Sequence, residues 1–171
     1  MQYWYGDGAA RVLACEGDAL LLERALGPAS LGDMARAGQD EEACRILCRT
    51  AARLHAQRAA TPPALTPLAQ WLRSLAPAAQ AHGGVLSRCA QVADALLRDQ
   101  RELVVLHGDL HHGNVLDFGE RGWLAIDPKH VMGDRSFDFA ALFTNPDLVD
   151  PTRPVAAEPA RFARRLEVVA Q

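Results

Sequence analysis

A short apolar run, Leu103-Val104-Val105-Leu106, leads without a break into His107-Gly108-Asp109-Leu110-His111-His112-Gly113-Asn114. No other stretch limits the fold as much. The run reads as a buried strand. The octet that follows is too rich in functional groups to be a plain connector. Val115-Leu116-Asp117 and Trp123-Leu124-Ala125-Ile126 read as a hairpin across Phe118 to Gly122, with Asp127 at its far end. A strand, a polar loop and a returning hairpin therefore set Asp109, Asn114 and Asp127 close together.

The flanking segments suggest how this unit is supported. Arg11-Val12-Leu13-Ala14-Cys15 and Ala19 to Arg24 form an expected hairpin across Glu16-Gly17-Asp18. Ser30 should cap a short helix ending near Gly38. Asp40 should cap a longer one, with Ala43, Ile46, Leu47 and Leu54 as its apolar stripe, running to about Arg58 before Thr61-Pro62-Pro63. A helix carrying Leu68, Trp71, Leu72 and Leu75 should end or kink at Pro77. Another carries Val92, Leu96 and Leu97. Ser136 to Thr144 reads as a helix stopped by Asn145-Pro146, and a last amphipathic helix starts near Pro159. Trp71 and Trp123 read as core. Asp134 reads as a helix cap and Arg135 as an exposed charge. The order predicts an α+β fold.

The loop chemistry points to phosphoryl transfer. In kinases a loop Asp takes the proton of the attacking hydroxyl, while an Asn five positions later and a separate Asp hold magnesium. Magnesium prefers hard oxygen ligands, which an amide carbonyl and a carboxylate supply. Asp109 then fits the base, and Asn114 and Asp127 fit the metal ligands.

His107 to Asn114 resembles the loop of the kinase-like aminoglycoside phosphotransferases, which reads His-Gly-Asp, four residues, Asn. Gly122 to Lys129, Phe137-Asp138-Phe139-Ala140, Asn145-Pro146-Asp147 and the helix Asp40 to Cys48 resemble the streptomycin 6-kinase and hydroxyurea kinase branch. The resemblance implies a protein-kinase-like fold: mostly the helical C-terminal lobe, plus the last hairpin of the small N-terminal lobe. It implies a remnant of the small lobe and hinge over residues 1–27 and the helical lobe over 28–171. It implies an ATP- and Mg2+-dependent phosphotransferase acting on a hydroxyl of a streptomycin-like aminoglycoside, and so antibiotic resistance. Asp109 matches the catalytic base, and Asn114 and Asp127 the metal ligands. Asp138 matches a structural Asp that steadies the loop, with His107 bracing it. Glu23, Arg24, Ala25 and Leu26 match the hinge whose backbone meets adenine.

Charge supports a cationic substrate. His107 to Asp150 holds eight acidic residues and three basic ones, a balance of −5 within a chain of net charge −3. That net charge argues against nucleic-acid binding by a basic surface, and no apolar run is long enough to span a membrane. The expected location is the cytoplasm, with Cys15, Cys44, Cys48 and Cys89 as buried or half-buried free thiols.

One composition detail bears on the nucleotide site. Of 18 basic residues, Lys129 alone is lysine. The family's small-lobe Gly-rich loop and strand lysine find no match before Asp109, and only 44 residues follow Asp127, so relative to the family the chain reads as shortened at both ends. Two rival readings follow. One is an inactive remnant of such a kinase. The other is a metal-dependent hydrolase built on His107, Asp109, His111 and His112.

Overall fold

The computed structural model describes residues 1–17 and 19–171. Asp18, in the expected hairpin turn, lies outside the described residues. A single 3-10 turn at Gln2–Trp4 opens the chain and buries Trp4, whose indole donates to the Leu54 carbonyl at 2.9 Å. Ala9 and Ala10 are fully buried, and Ala10 N donates to the Ala125 carbonyl at 2.9 Å. The first ten residues are thus fastened to the body of the molecule. Strands β1 (Val12–Glu16) and β2 (Ala19–Leu22) then pair antiparallel as expected, with Leu13, Leu20 and Leu21 exposed.

Helix α1 (Leu31–Met34) starts at Ser30, whose Oγ accepts from Asp33 N. A wider turn over Ala35–Gln39 joins it to helix α2 (Asp40–His55), and the bend falls at Gly38, where φ is 92°. The expected stripe is buried: Ala43, Ile46, Leu47 and Leu54 all face the core. Asp40 does not cap the helix. Its carboxylate turns inward to Arg165, which donates from Nε at 3.1 Å and from Nη2 at 2.6 Å. A strong long-range partner outcompetes a local cap. The helix also stops at His55, short of Arg58. The Arg58 guanidinium folds back to donate to the carbonyls of Leu54 and Arg53 at 2.9 and 2.7 Å.

A two-residue strand β3 (Thr66–Pro67) runs into helix α3 (Leu68–Trp71), and helix α4 (Leu75–His82) follows. The break falls before Leu75. Pro77 sits in the first turn of α4, where its missing N–H costs nothing. Trp71 is half exposed and not core. Helix α5 (Gly84–Arg98) is amphipathic but buries none of its residues; Val92 and Leu96 face an open groove of about 650 Å³ shared with Leu68, Leu72 and Phe137.

Strand β4 (Leu103–Leu106) buries Val105 and Leu106, while Leu103 is exposed. Strands β5 (Val115–Asp117) and β6 (Trp123–Ala125) form the expected hairpin, with Trp123 packed half buried on the core. Strand β7 (Val131–Asp134) has no strand pattern in the sequence. It lies between β3, which it meets parallel, and β4, which it meets antiparallel from Leu103↔Asp134 to Leu106↔Val131. Asp134 then caps a 3-10 helix over Arg135–Phe143 by accepting from Ser136 N. Helix α6 (Pro159–Val169) begins at its proline, as expected, and packs on α2. Its Arg165 is fully buried, and Nη1 also donates to the carbonyls of Leu142 and Asn145, the latter at 2.7 Å. All four cysteines are free. Cys44 is buried and Cys48 half buried, but Cys15 and Cys89 are exposed, contrary to expectation. Among the described residues no helix is long and apolar enough to cross a membrane.

Candidate active site

The loop after β4 is held by one carboxylate. Asp138, on the 3-10 helix and 2% exposed, accepts from Gly108 N through Oδ1 at 2.7 Å and from His107 N through Oδ2 at 2.9 Å. The same Oδ2 lies 2.8 Å from His55 Nε2 at the end of α2. Buried amides need partners, and here a single side chain serves two in succession. In the sequence His55 is only the last residue of an amphipathic helix. Its spacing from Asp138 is 83 residues, and no local pattern could have paired them.

His107 is fully buried. Its Nε2 lies 2.7 Å from the Ile126 carbonyl at the end of β6, and its Nδ1 accepts from Asp109 N at 3.3 Å. Burial pushes its pKa down, against the pull of Asp138. The ring therefore ties the loop to the hairpin as a neutral brace.

Asp109 emerges from this scaffold with its side chain 37% exposed. Asn114 Nδ2 donates to the Asp109 carbonyl at 2.9 Å and to Asp109 Oδ2 at 3.3 Å, which leaves its amide oxygen as an acceptor. Ile126 N donates to the Asn114 carbonyl at 2.9 Å. The hairpin thus returns to the loop, and Asp127 follows with φ at 59°. Asp tolerates this left-handed conformation better than most residues. Lys129 closes the group. Its Nζ donates to Asp127 Oδ2 at 2.5 Å and lies 3.5 Å from Asp109 Oδ2, and the bond to Asp127 raises its pKa.

The donor set suits magnesium. Asp127 and Asn114 offer hard oxygens, and Asp127 is two-thirds exposed, so a cation there could keep waters and phosphate oxygens. A positive charge already stands against Asp127 in the form of the Lys129 ammonium.

The histidines do not converge on one point. His107 faces Ile126. His111 Nδ1 accepts from Gly113 N at 3.0 Å, and its Nε2 lies 3.7 Å from Asp109 Oδ1. His112 is 5% exposed, and neither ring nitrogen has a hydrogen-bond partner. Burial, with Arg165 nearby, pulls its pKa down to about 3. Among the described residues no group of three or more His, Cys, Asp or Glu side chains is arranged to hold a metal.

The segment Glu23 to Leu26 leaves β2 along the β5–β6 hairpin and is fixed at both ends. Burial works to raise the pKa of Glu23, but bonds from Arg121 and Arg11 N outweigh it and hold the carboxylate low. Arg121, in the β5–β6 turn, pairs with Glu23 and donates to the Gly6 carbonyl at 2.7 Å. At the other end Gly27 N donates to the Asp117 carbonyl at 3.0 Å, and Ala29 N to Asp117 Oδ2 at 3.2 Å. A Cβ on Gly27 would lie 2.0 Å from Asp117 Cγ, so only glycine fits this approach. Leu26 between these points is 77% exposed.

A family model described as aminoglycoside/hydroxyurea antibiotic resistance kinase matches residues 1–171. The chain is 56% identical over 169 residues to a streptomycin 3''-kinase of Klebsiella pneumoniae, covering 99% of this chain and 63% of that protein. It is 34% identical over 173 residues to a streptomycin 6-kinase of Streptomyces griseus, covering 89% and 52%. It is 32% identical over 161 residues to a hydroxyurea phosphotransferase of Kitasatospora aureofaciens, covering 85% and 45%. The chain thus spans between 45% and 63% of the length of these relatives. Among solved structures, the crystal structure of an aminoglycoside-3'-phosphotransferase of type VIII is similar with a TM-score of 0.61 at 22% identity, over 94% of this chain and 65% of that one. That likeness bears out the α+β, kinase-like fold.

Proposed function

The chain belongs to the aminoglycoside/hydroxyurea antibiotic resistance kinase family, and on that premise we propose that it carries the phosphoryl-transfer site of an ATP- and Mg2+-dependent streptomycin-type phosphotransferase. One observation carries the reading. Asp109 and Asn114 share one turn, and the hairpin returns Asp127 to them across a single ammonium, 3.5 Å from Asp109 and 2.5 Å from Asp127. Asp109 is the base. It is accessible, and it is oriented by the Asn114 amide and by the braced loop behind it. It accepts the proton of the substrate hydroxyl as that oxygen bonds to the terminal phosphorus of ATP and ADP departs. Asn114 and Asp127 hold magnesium, which neutralises charge on the phosphates when bound. Glu23, Arg24, Ala25 and Leu26 form the adenine-facing hinge, within a small-lobe segment of residues 1–27, and 28–171 belong to the helical lobe. The acidic balance around the loop suits a cationic aminoglycoside. The 56% identity to a 3''-kinase against 34% to a 6-kinase favours the 3''-hydroxyl of streptomycin over the 6-hydroxyl. Use of ATP fits a cytoplasmic location.

The test is a coupled ADP-release assay with streptomycin, beside calorimetric titration with Mg·ADP. ADP formation that needs streptomycin, ATP and Mg2+, and is lost in Asp109→Ala, supports the reading. ADP binding without turnover would reduce it to a nucleotide-binding remnant. Failure to bind nucleotide at all would overturn it.

A further inference from the structure

The single lysine has no role in the scheme above, yet it occupies the centre of the site. Seventeen of the 18 basic residues are arginine, and the exception stands between the two carboxylates. The root of Lys129 is fixed, because its N–H donates to the His107 carbonyl at 2.8 Å. Its side chain is 29% exposed, with the ammonium 2.5 Å from Asp127 and 3.5 Å from Asp109. His111 Nε2 is the other basic group near Asp109, at 3.7 Å from Oδ1. Its Nδ1 is already engaged by Gly113 N at 3.0 Å, and it stands farther from Asp109 than the ammonium does. Lys129 is therefore the charge that keeps two neighbouring carboxylates from repelling each other when no metal is bound.

Lysine suits this position better than arginine. A guanidinium grips a carboxylate with two parallel bonds, whereas an ammonium is a compact point charge on a flexible stem. The ammonium can release one carboxylate and keep the other.

We propose that Lys129 is the resident counter-cation of the site: its ammonium competes with the divalent cation for Asp127 and, once displaced, stays paired with Asp109. Lys129 is thus a positioning residue. It keeps positive charge beside Asp109 in both states and sets how much divalent cation is needed to load the site. This rests on Asn114 and Asp127 being the metal ligands.

The lone lysine makes the test direct. Mn2+ binding to the purified chain, without nucleotide, is measured by electron paramagnetic resonance for the parent, Lys129→Met and Lys129→Arg. Removing one unit charge about 4 Å from a dication at an exposed site should tighten binding by about thirtyfold at low salt. Near 0.5 M KCl the difference should shrink to about fourfold. Lys129→Arg, which keeps the charge, should show no tightening. A second readout needs no substitution. With 13C-labelled lysine the parent gives one Cε resonance, and Mg2+ should move it with the midpoint of metal binding. Equal or weaker Mn2+ binding by Lys129→Met, or a Cε resonance that stays put while Mg2+ binds, overturns the role of Lys129 and leaves the metal site intact. No metal binding by any of the three proteins overturns both.

Discussion

Replacing Arg165 with methionine should cost this fold more than any change at its surface. The side chain is 1% exposed and makes four bonds, two to the Asp40 carboxylate and two to the carbonyls of Leu142 and Asn145. Methionine matches much of the volume, so little of the loss comes from a cavity. What remains is a carboxylate buried without its partner, beside two orphaned carbonyls. Breaking a buried pair from one side costs about 3–5 kcal/mol, a large share of the ~5–15 kcal/mol that holds a domain together. With a urea dependence of about 2 kcal/mol/M for a chain of this size, the unfolding midpoint should fall by about 1.5–2.5 M, read by circular dichroism. The double variant Arg165→Met with Asp40→Leu should recover much of that loss, because no unpaired charge is left. A shift below about 0.5 M in the single variant, or a double variant as unstable as the single, would refute the claim that an uncompensated buried charge dominates.

Other perturbations probe the loop and the hinge. His55→Ala removes one partner of Asp138 and leaves a cavity, for a loss of about 2–3 kcal/mol, so the melting temperature should fall by about 5–10 °C in a thermal scan. Gly27→Ala places a methyl group 2.0 Å from the Asp117 carboxyl carbon; calorimetry should show Mg·ADP binding weakened by about tenfold or more, and an unchanged affinity would argue against a hinge over Glu23 to Leu26. Stability should also fall on mild acidification. His112 is held neutral down to about pH 3 in the folded chain, while the unfolded chain takes up its proton near pH 6.5. The contribution is therefore whole above about pH 7 and declines below it, by at most ~1.4 kcal/mol per pH unit. His112→Leu should flatten the urea midpoint between about pH 6.5 and 4.5.

The chemistry of the loop was readable because it is local. Asp109, Asn114 and the β5–β6 hairpin lie within twenty residues, and the apolar run before them marks a strand. The supports were not readable, because they are distant. Asp40 carries every mark of a helix cap, yet it answers to Arg165, 125 residues away. His55 ends an ordinary amphipathic helix, and only the fold brings it to Asp138. Strand β7 hides because Val131-Met132-Gly133-Asp134 neither alternates nor forms an apolar run; pairing with β4 defines it. The stripe on α5 gave the helix correctly but not its burial, since a stripe records amphipathicity and says nothing of what covers it.

Asp138 also bears on when the site comes into being. Its two oxygens meet donors from the end of α2 and from the loop after β4, while it sits itself on a third element. These segments lie far apart in sequence, so none can order the loop alone. A partly folded chain, with α2 formed but the 3-10 helix undocked, would have no fixed Asp109. The arrangement works as a coincidence detector: the loop becomes competent only when all three segments have arrived, so a half-made molecule has no organised site to use.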